Sequence, residues 1–233
     1  MVDLILVTWN RRRRLERILR NVKNKAGFPH RMIIIQVPGL DDTDEFLKQN
    51  PELFDDWFKT EKREGLCDNY NLGLARGKND ICVFMQDDWI IYGQGWLKKM
   101  HEVYLSHLDR FFSISPFVFS YSMEKQPIRS FEDKVISISR DLATYRMFNR
   151  LAVLKAGGLH YVYRVPASTS SMQRQNESLV FPRLVAKISK DKRLGQYLDL
   201  RILNMDHRFL RGLKQEKKDE LFDYFELTGK IDL

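Results

Sequence analysis

The sequence predicts an α/β fold in which a mostly parallel central sheet is flanked by helices. Three observations predict it. Val2 to Thr8 (VDLILVT) and Met32 to Val37 (MIIIQV) are nearly continuous apolar runs, the pattern of strands buried on both faces of a parallel sheet. Between them Leu15, Ile18, Leu19 and Val22 fall at i, i+3, i+4 and i+7, one apolar face of a helix. A third apolar run, Asp80 to Met85, follows another helical segment, so the alternation reads as successive βαβ units.

Each element has a local reason. Asn10, after the first strand, is suited to cap the helix behind it, and Gly27 and Pro29 break that helix. Pro38-Gly39 ends the second strand. The stretch from Asp41 to Thr60 is mixed and reads as a helix and a short strand. Asp68 to Ala75 reads as a helix that stops near Gly77. Gly93 and Gly95 make a turn before the amphipathic Trp96 to Leu108. Beyond this point the pattern loosens. Arg110 to Tyr121 and Val135 to Ser139 are strand-like, and Arg150 to Ala156 is a short helix ending at Gly157-Gly158. Ser178 to Ile188 reads as a helix, Asp199 to Met205 alternates weakly, and Lys214 to Leu227 is an amphipathic helix.

With 233 residues the chain has the length of one sizeable domain. The expected organisation is a single unit: residues 1–108 as one half, 109–213 as a second, smaller half and 214–233 as a C-terminal helix. No apolar run approaches the roughly 20 residues that span a bilayer, and the N-terminal VDLILVTWN has no basic leader, so no signal peptide is read. Cys67 and Cys82 show no metal spacing and read as reduced thiols of a cytoplasmic protein. The net charge of +8 suggests an anionic partner, whether a nucleotide, a nucleic acid or an acidic membrane surface.

The chemistry gathers at strand ends. In an open parallel sheet, ligands bind outside the carboxyl ends of the strands, and three such ends carry polar residues: Thr8-Trp9-Asn10, Gln36 to Asp42, and Gln86-Asp87-Asp88. If the strand persisted to Asp88, side-chain alternation would put Gln86 and Asp88 on one face and turn Asp87 away. Asp88 would then suit a hard divalent cation that shares its shell with phosphate oxygens. The plainer reading is that Asp87 and Asp88 start a turn. Arg11 to Arg14 would occupy the first helical turn, where cations are unfavourable. A diphosphate bound at that helix start would explain them, and a solvated basic surface is the alternative.

These pieces resemble a known family. LILVTWNR, GLCDNYNLGLARGKNDICVFMQDD, WLKKM, NRLAVLKAGGL, NESLVFPRL and NMDH occur in the order found in GT-A glycosyltransferases, a Rossmann-like fold, and especially in the large inverting family 2 that uses nucleotide-sugar donors. The resemblance spans roughly residues 2 to 210. It implies that Thr8, Trp9, Asn10 and Arg11 line the nucleotide-sugar site with Asn71, Gln86 and Asp87. It implies that Asp88 and His207 hold Mn²⁺ or Mg²⁺ and that Glu177 is the general base for an acceptor hydroxyl. The sequence departs from the family in two places. Gln86 stands where the Asp-x-Asp motif has its first acid, and Gln36 or Val37 stands where an acid follows the second strand, with Asp41 and Asp42 slightly later.

Plainer accounts stand beside these. Glu177 also suits a helix start, His207 forms a simple surface pair with Asp206, and Trp9 would serve as core. The expected partners are a nucleotide-sugar donor and an acceptor that is a glycan, a lipid-linked group or a protein. No specific nucleic acid is expected, and peripheral membrane contact is one reading of the basic charge. Two other functions compete: a nucleotidyltransferase on a related fold, which would want glycine after the first strand where TWNRRRR has none, and a non-catalytic protein that binds nucleotides or anionic surfaces.

Overall fold

A computed structural model describes residues 1–118, 135–138, 145–159, 192–204 and 213–228. The first half alternates as the sequence predicts. Strand β1 (Val2–Thr8) leads to helix α1 (Arg12–Lys25), β2 (His30–Gln36), α2 (Thr43–Gln49), a 3-10 turn and β3 (Asp56–Lys59). Helix α3 (Leu66–Arg76) precedes β4 (Ile81–Gln86), β5 (Trp89–Ile91) and α4 (Trp96–Ser106). All seven residues of β1 are buried, as expected of a strand covered on both faces. It pairs in parallel with β2 and with β4, and β2 pairs in parallel with β3.

The second half is mixed. Strands β6 (Phe111–Val118), β7 (Val135–Ile138) and β8 (Arg146–Asn149) are followed by helix α5 (Arg150–Lys155), the long strand β9 (Arg193–Asn204) and helix α6 (Gln215–Thr228). Among the described residues nine strands form one sheet in the order β3-β2-β1-β4-β8-β6-β9-β5, with β7 also on β9. Strand β8 runs antiparallel to β4 and β6, while β6 and β9 are parallel. The pairing of β6 with β9 shifts register between Pro116 and Phe117, where proline removes a ladder donor. Strand β8 was not visible as a separate element in the sequence, and β9 begins earlier than the weak alternation suggested. The helix expected over residues 178–188 lies outside the described residues.

Two apolar layers hold the sheet. On one face Leu4, Leu6, Met32, Ile34, Val83 and Met85 pack with Leu15, Ile18 and Leu19 of α1 and with α4 and α6. On the other Ile5, Ile33, Ile35, Cys82 and Phe84 pack with Tyr70 and Leu74 of α3 and Val153 of α5. The fully buried Asp3 is satisfied locally: its carboxylate accepts from the backbone N–H groups of Lys78 (2.7 Å) and Asn79 (2.8 Å) and from Asn79 Nδ2 (2.7 Å), which offsets the cost of burying a charge. Glycine is required where α1 meets α4. Gly27 has φ +65°, and a Cβ there would lie 2.6 Å from Gly95 Cα. Among the described residues no helix is long and apolar enough to cross a membrane.

Candidate active site

Strands β1 and β4 lie side by side, with Val7 opposite Gln86, so their carboxyl ends deliver Thr8 and Asp87 to the same place. Thr8 Oγ1 donates to Asp87 Oδ2 at 2.6 Å. Arg11, the residue before α1, reaches back from the next turn and donates through NH1 to Asp87 Oδ1 at 3.0 Å. The same nitrogen lies 3.2 Å from Asp88 Oδ2. One guanidinium thus touches both carboxylates, and a threonine hydroxyl holds the inner one.

The expected alternation does not extend through the pair. Strand β4 stops at Gln86, and Asp87-Asp88 form the turn into β5. Freed from the pleat, both acids face Arg11 instead of opposite sides. Gln86 is turned to a structural task, its Oε1 accepting from Trp89 Nε1 at 2.9 Å. Asp87 is only 3% exposed. Burial pushes its carboxyl up from the ordinary value, and Arg11 and the Thr8 hydroxyl pull the other way. The Asp88 side chain is 13% exposed and sits at the rim.

The neighbouring loops shape the rim. Trp9 is 38% exposed, so it is not core, and the Arg63 guanidinium stacks over its ring 3.6 Å from the centroid. Asn10 adopts a left-handed φ of 51°. It does not cap α1; its Oδ1 accepts from Leu40 N at 2.7 Å, tying the loop after β1 to the loop after β2. Gly39 leaves the space for that contact, since a Cβ there would lie 1.9 Å from Asn10 Oδ1. The anion at the start of α1 is a side chain of this chain: Asp41 Oδ2 accepts from Arg12 N at 3.0 Å. That carboxylate takes the helix-start role the sequence reading gave to a diphosphate. Arg12 turns to Glu16 and to the Phe46 ring, whereas Arg13 is exposed.

Two further polar residues are engaged within the fold. Asn71 does not present its amide to the strand ends. Its Nδ2 donates to Leu159 O at 2.8 Å and its Oδ1 accepts from Leu159 N at 2.7 Å, so it clamps the loop after α5. Gln36, the stand-in for the acid after β2, is buried, donates to Asp44 and accepts from Trp57 Nε1 at 2.9 Å. Glu177 and His207 lie outside the described residues. The sequence reading missed Arg63, because nothing in KREG marks a residue that will stack on a distant tryptophan. It also missed Tyr145, which is fully buried at the head of β8. Burial, then Asp88 and Asp87, push the Tyr145 phenol well above its ordinary pKa.

The resemblance implies a divalent cation, and the side chains present fit one of its two binding modes. Among the described residues no three His, Cys, Asp or Glu side chains gather into a cage. Asp88 at the rim fits the other mode, in which Mg²⁺ or Mn²⁺ takes one protein carboxylate and completes its shell with diphosphate oxygens.

No curated protein sequence matches the chain. Solved structures do. The Staphylococcus aureus TarS 1–349 fragment in complex with UDP-GlcNAc superposes with a TM-score of 0.64 at 12% identity, covering 96% of this chain and 71% of that one. The mannosyltransferase PcManGT from Pyrobaculum calidifontis, in complex with GDP-Man and Mn²⁺, gives 0.67 at 14% identity, covering 91% and 58%. GalNAc-T7 with UDP, GalNAc and Mn²⁺ gives 0.64 at 13% identity, covering 88% and 43%. Against a longer TarS structure the chain spans 42% of that protein's length. These likenesses establish the GT-A fold. The model of glycosyl transferase family 2 matches residues 3–158, which takes in β1 through the α5 loop and every member of the carboxylate cluster. The chain therefore belongs to glycosyl transferase family 2, a family of glycosyltransferases.

Proposed function

We propose that this chain moves a sugar from a nucleoside-diphosphate sugar to an acceptor hydroxyl, with inversion at the anomeric carbon and with a divalent cation bound at Asp88. One observation carries the reading: Thr8, Arg11, Asp87 and Asp88 meet at the carboxyl ends of two adjacent parallel strands, where ligands of such sheets bind. In this reading residues 1–108 hold the donor and 109–213 face the acceptor. The Trp9–Arg63 stack offers the base a flat cationic face. Arg11 places a guanidinium within reach of the diphosphate, and buried Asp87 fixes its direction. The cation supplies charge neutralisation to the departing nucleoside diphosphate. Glu177 takes the proton of the acceptor hydroxyl as that oxygen attacks, and His207 is a further contact to the phosphates or the cation. The likeness of fold to PcManGT, solved with GDP-Man and Mn²⁺, and to TarS, solved with UDP-GlcNAc, supports the donor class.

A panel of UDP- and GDP-sugars with Mn²⁺ or Mg²⁺ tests this, read as release of nucleoside diphosphate and as the anomeric configuration of the product by NMR. The wild-type chain is expected to consume one donor class and Asp88→Asn to lose on the order of 10²-fold in turnover. Equal turnover by the two proteins sinks the role of Asp88. Failure of the wild type to bind any nucleoside diphosphate sinks the donor reading.

A further inference from the structure

We infer that Arg11 is a resident counter-ion of the Asp87–Asp88 pair and is exchanged off Asp88 when a divalent cation arrives with a nucleoside diphosphate, so that cation and nucleotide bind weakly apart and tightly together. The inference rests on the metal-assisted reading above and deepens it by naming the residue that couples the two ligands.

The two contacts of Arg11 are unequal. Asp87 is 3% exposed and is held from behind by the Thr8 hydroxyl at 2.6 Å, so it is a fixed anchor. Asp88, with a side chain 13% exposed, meets the same guanidinium nitrogen at 3.2 Å and stands at the rim. The Arg11 side chain is 36% exposed and precedes α1, so it has solvent to turn into. A dication on Asp88 would sit beside a guanidinium of like charge. Removing that repulsion requires the Arg11–Asp88 contact to open.

Neither ligand opens it well alone. A lone cation gains one rim carboxylate and meets the guanidinium, because Gln86 stands in place of the motif's first acid and is itself engaged by Trp89 at 2.9 Å. A lone nucleoside diphosphate meets the two acids with no cation between. Together they complement each other: the diphosphate gives Arg11 an anionic partner and gives the cation its remaining oxygens. The coupling is reciprocal, since each ligand must strengthen the other by the same factor.

The test measures Mn²⁺ binding by electron paramagnetic resonance on the wild-type chain, Arg11→Met and Arg11→Lys, without nucleotide and with saturating UDP or GDP. Wild type is expected to bind Mn²⁺ weakly until the nucleoside diphosphate is added. Arg11→Met is expected to bind Mn²⁺ alone about two- to fivefold tighter than wild type, the range of a partly exposed ion pair, with much less gain from nucleotide. Arg11→Lys, which keeps the charge, is expected to stay near wild type. Equal Mn²⁺ affinity of wild type and Arg11→Met without nucleotide overturns the exchange and leaves the metal reading standing. Absence of Mn²⁺ binding in wild type and in Arg11→Met, even with UDP and GDP, overturns the metal reading and the exchange with it. If Arg11→Met does not fold, the side-chain ¹⁵N resonance of Arg11 in the wild type decides: it should move when Mg²⁺ and UDP or GDP are added together. Movement with Mg²⁺ alone, or no movement at all, overturns the proposal.

Discussion

Asp87 keeps a carboxylate almost entirely out of water, and two donors 79 and 76 positions away in the chain make that tolerable. A hydrogen bond to a charged acceptor in such a place is worth about 1.5–3 kcal/mol, and an orphaned acceptor costs a comparable amount. Thr8→Val keeps the shape and deletes the donor, so its stability in urea should fall by about 1–3 kcal/mol. An unchanged midpoint would mean that Thr8 contributes packing and nothing more. At this scale the sequence was half legible. A pair of acids following the apolar run of β4 announces a strand end that faces ligand. The guanidinium that joins them does not announce itself, because contacts between residues so far apart leave no periodicity to read. Asn71 shows a partner that the sequence does not announce either. The resemblance places it against the donor, and in the structure each end of its amide bonds the Leu159 backbone.

Among elements, α1 and the strands on either side of it were readable because their apolar periods are long and regular. The start of α1 was not, since its cap comes from Asp41 in a different loop, and no local pattern encodes a partner from across a connection. Strand β8 was missed for a related reason: it has four residues, one of them the fully buried Arg146, whose NH1 donates to Ser113 Oγ at 2.9 Å. A charge at a core position breaks the apolar run by which a buried strand is recognised. The loop after α5 makes a firm demand on one position. Gly158 has φ +82°, and a Cβ there would come within 2.7 Å of Asn71 Oδ1. Gly158→Ala should therefore cost about 1–3 kcal/mol through backbone strain and the displaced amide, read as a shifted denaturation midpoint. A neutral result would show that the loop relaxes without Asn71.

Across the whole molecule, the elements of the parallel half were legible together with their pairing, whereas in the mixed half β6, β7, α5 and α6 were legible and β8, the start of β9 and the pairing were not. The parallel half is built from strand–helix–strand units whose chemistry repeats along the chain, whereas β6, β8 and β9 pair over long separations with registers fixed only by tertiary packing. Stability against acid also belongs to this scale. Asp56 on the edge strand β3 is bound by Arg76 through both oxygens, at 2.8 and 3.1 Å, and by Arg31 at 3.0 Å. Arg76 above all holds the Asp56 carboxyl below its ordinary value of 3.8. An acid whose pKa is depressed by folding adds stability above its unfolded pKa and loses it as pH falls through the folded value. Asp56→Asn should thus be less stable than wild type at pH 7, by about 1 kcal/mol for a partly screened cluster, and the gap should close below about pH 4. A gap that persists unchanged at pH 3 would assign the effect to packing. The two-residue link between β4 and β5 has a different kind of consequence. It joins a strand of the parallel half to one at the far edge of the sheet, and one added residue would displace the chain by about 3.3 Å and turn the core side of β5 outward. The spacing of the carboxylates is therefore borrowed from the architecture. Natural variation can rewrite which side chains stand at 86, 87 and 88, as the glutamine already illustrates, but it has no cheap way to move where they stand.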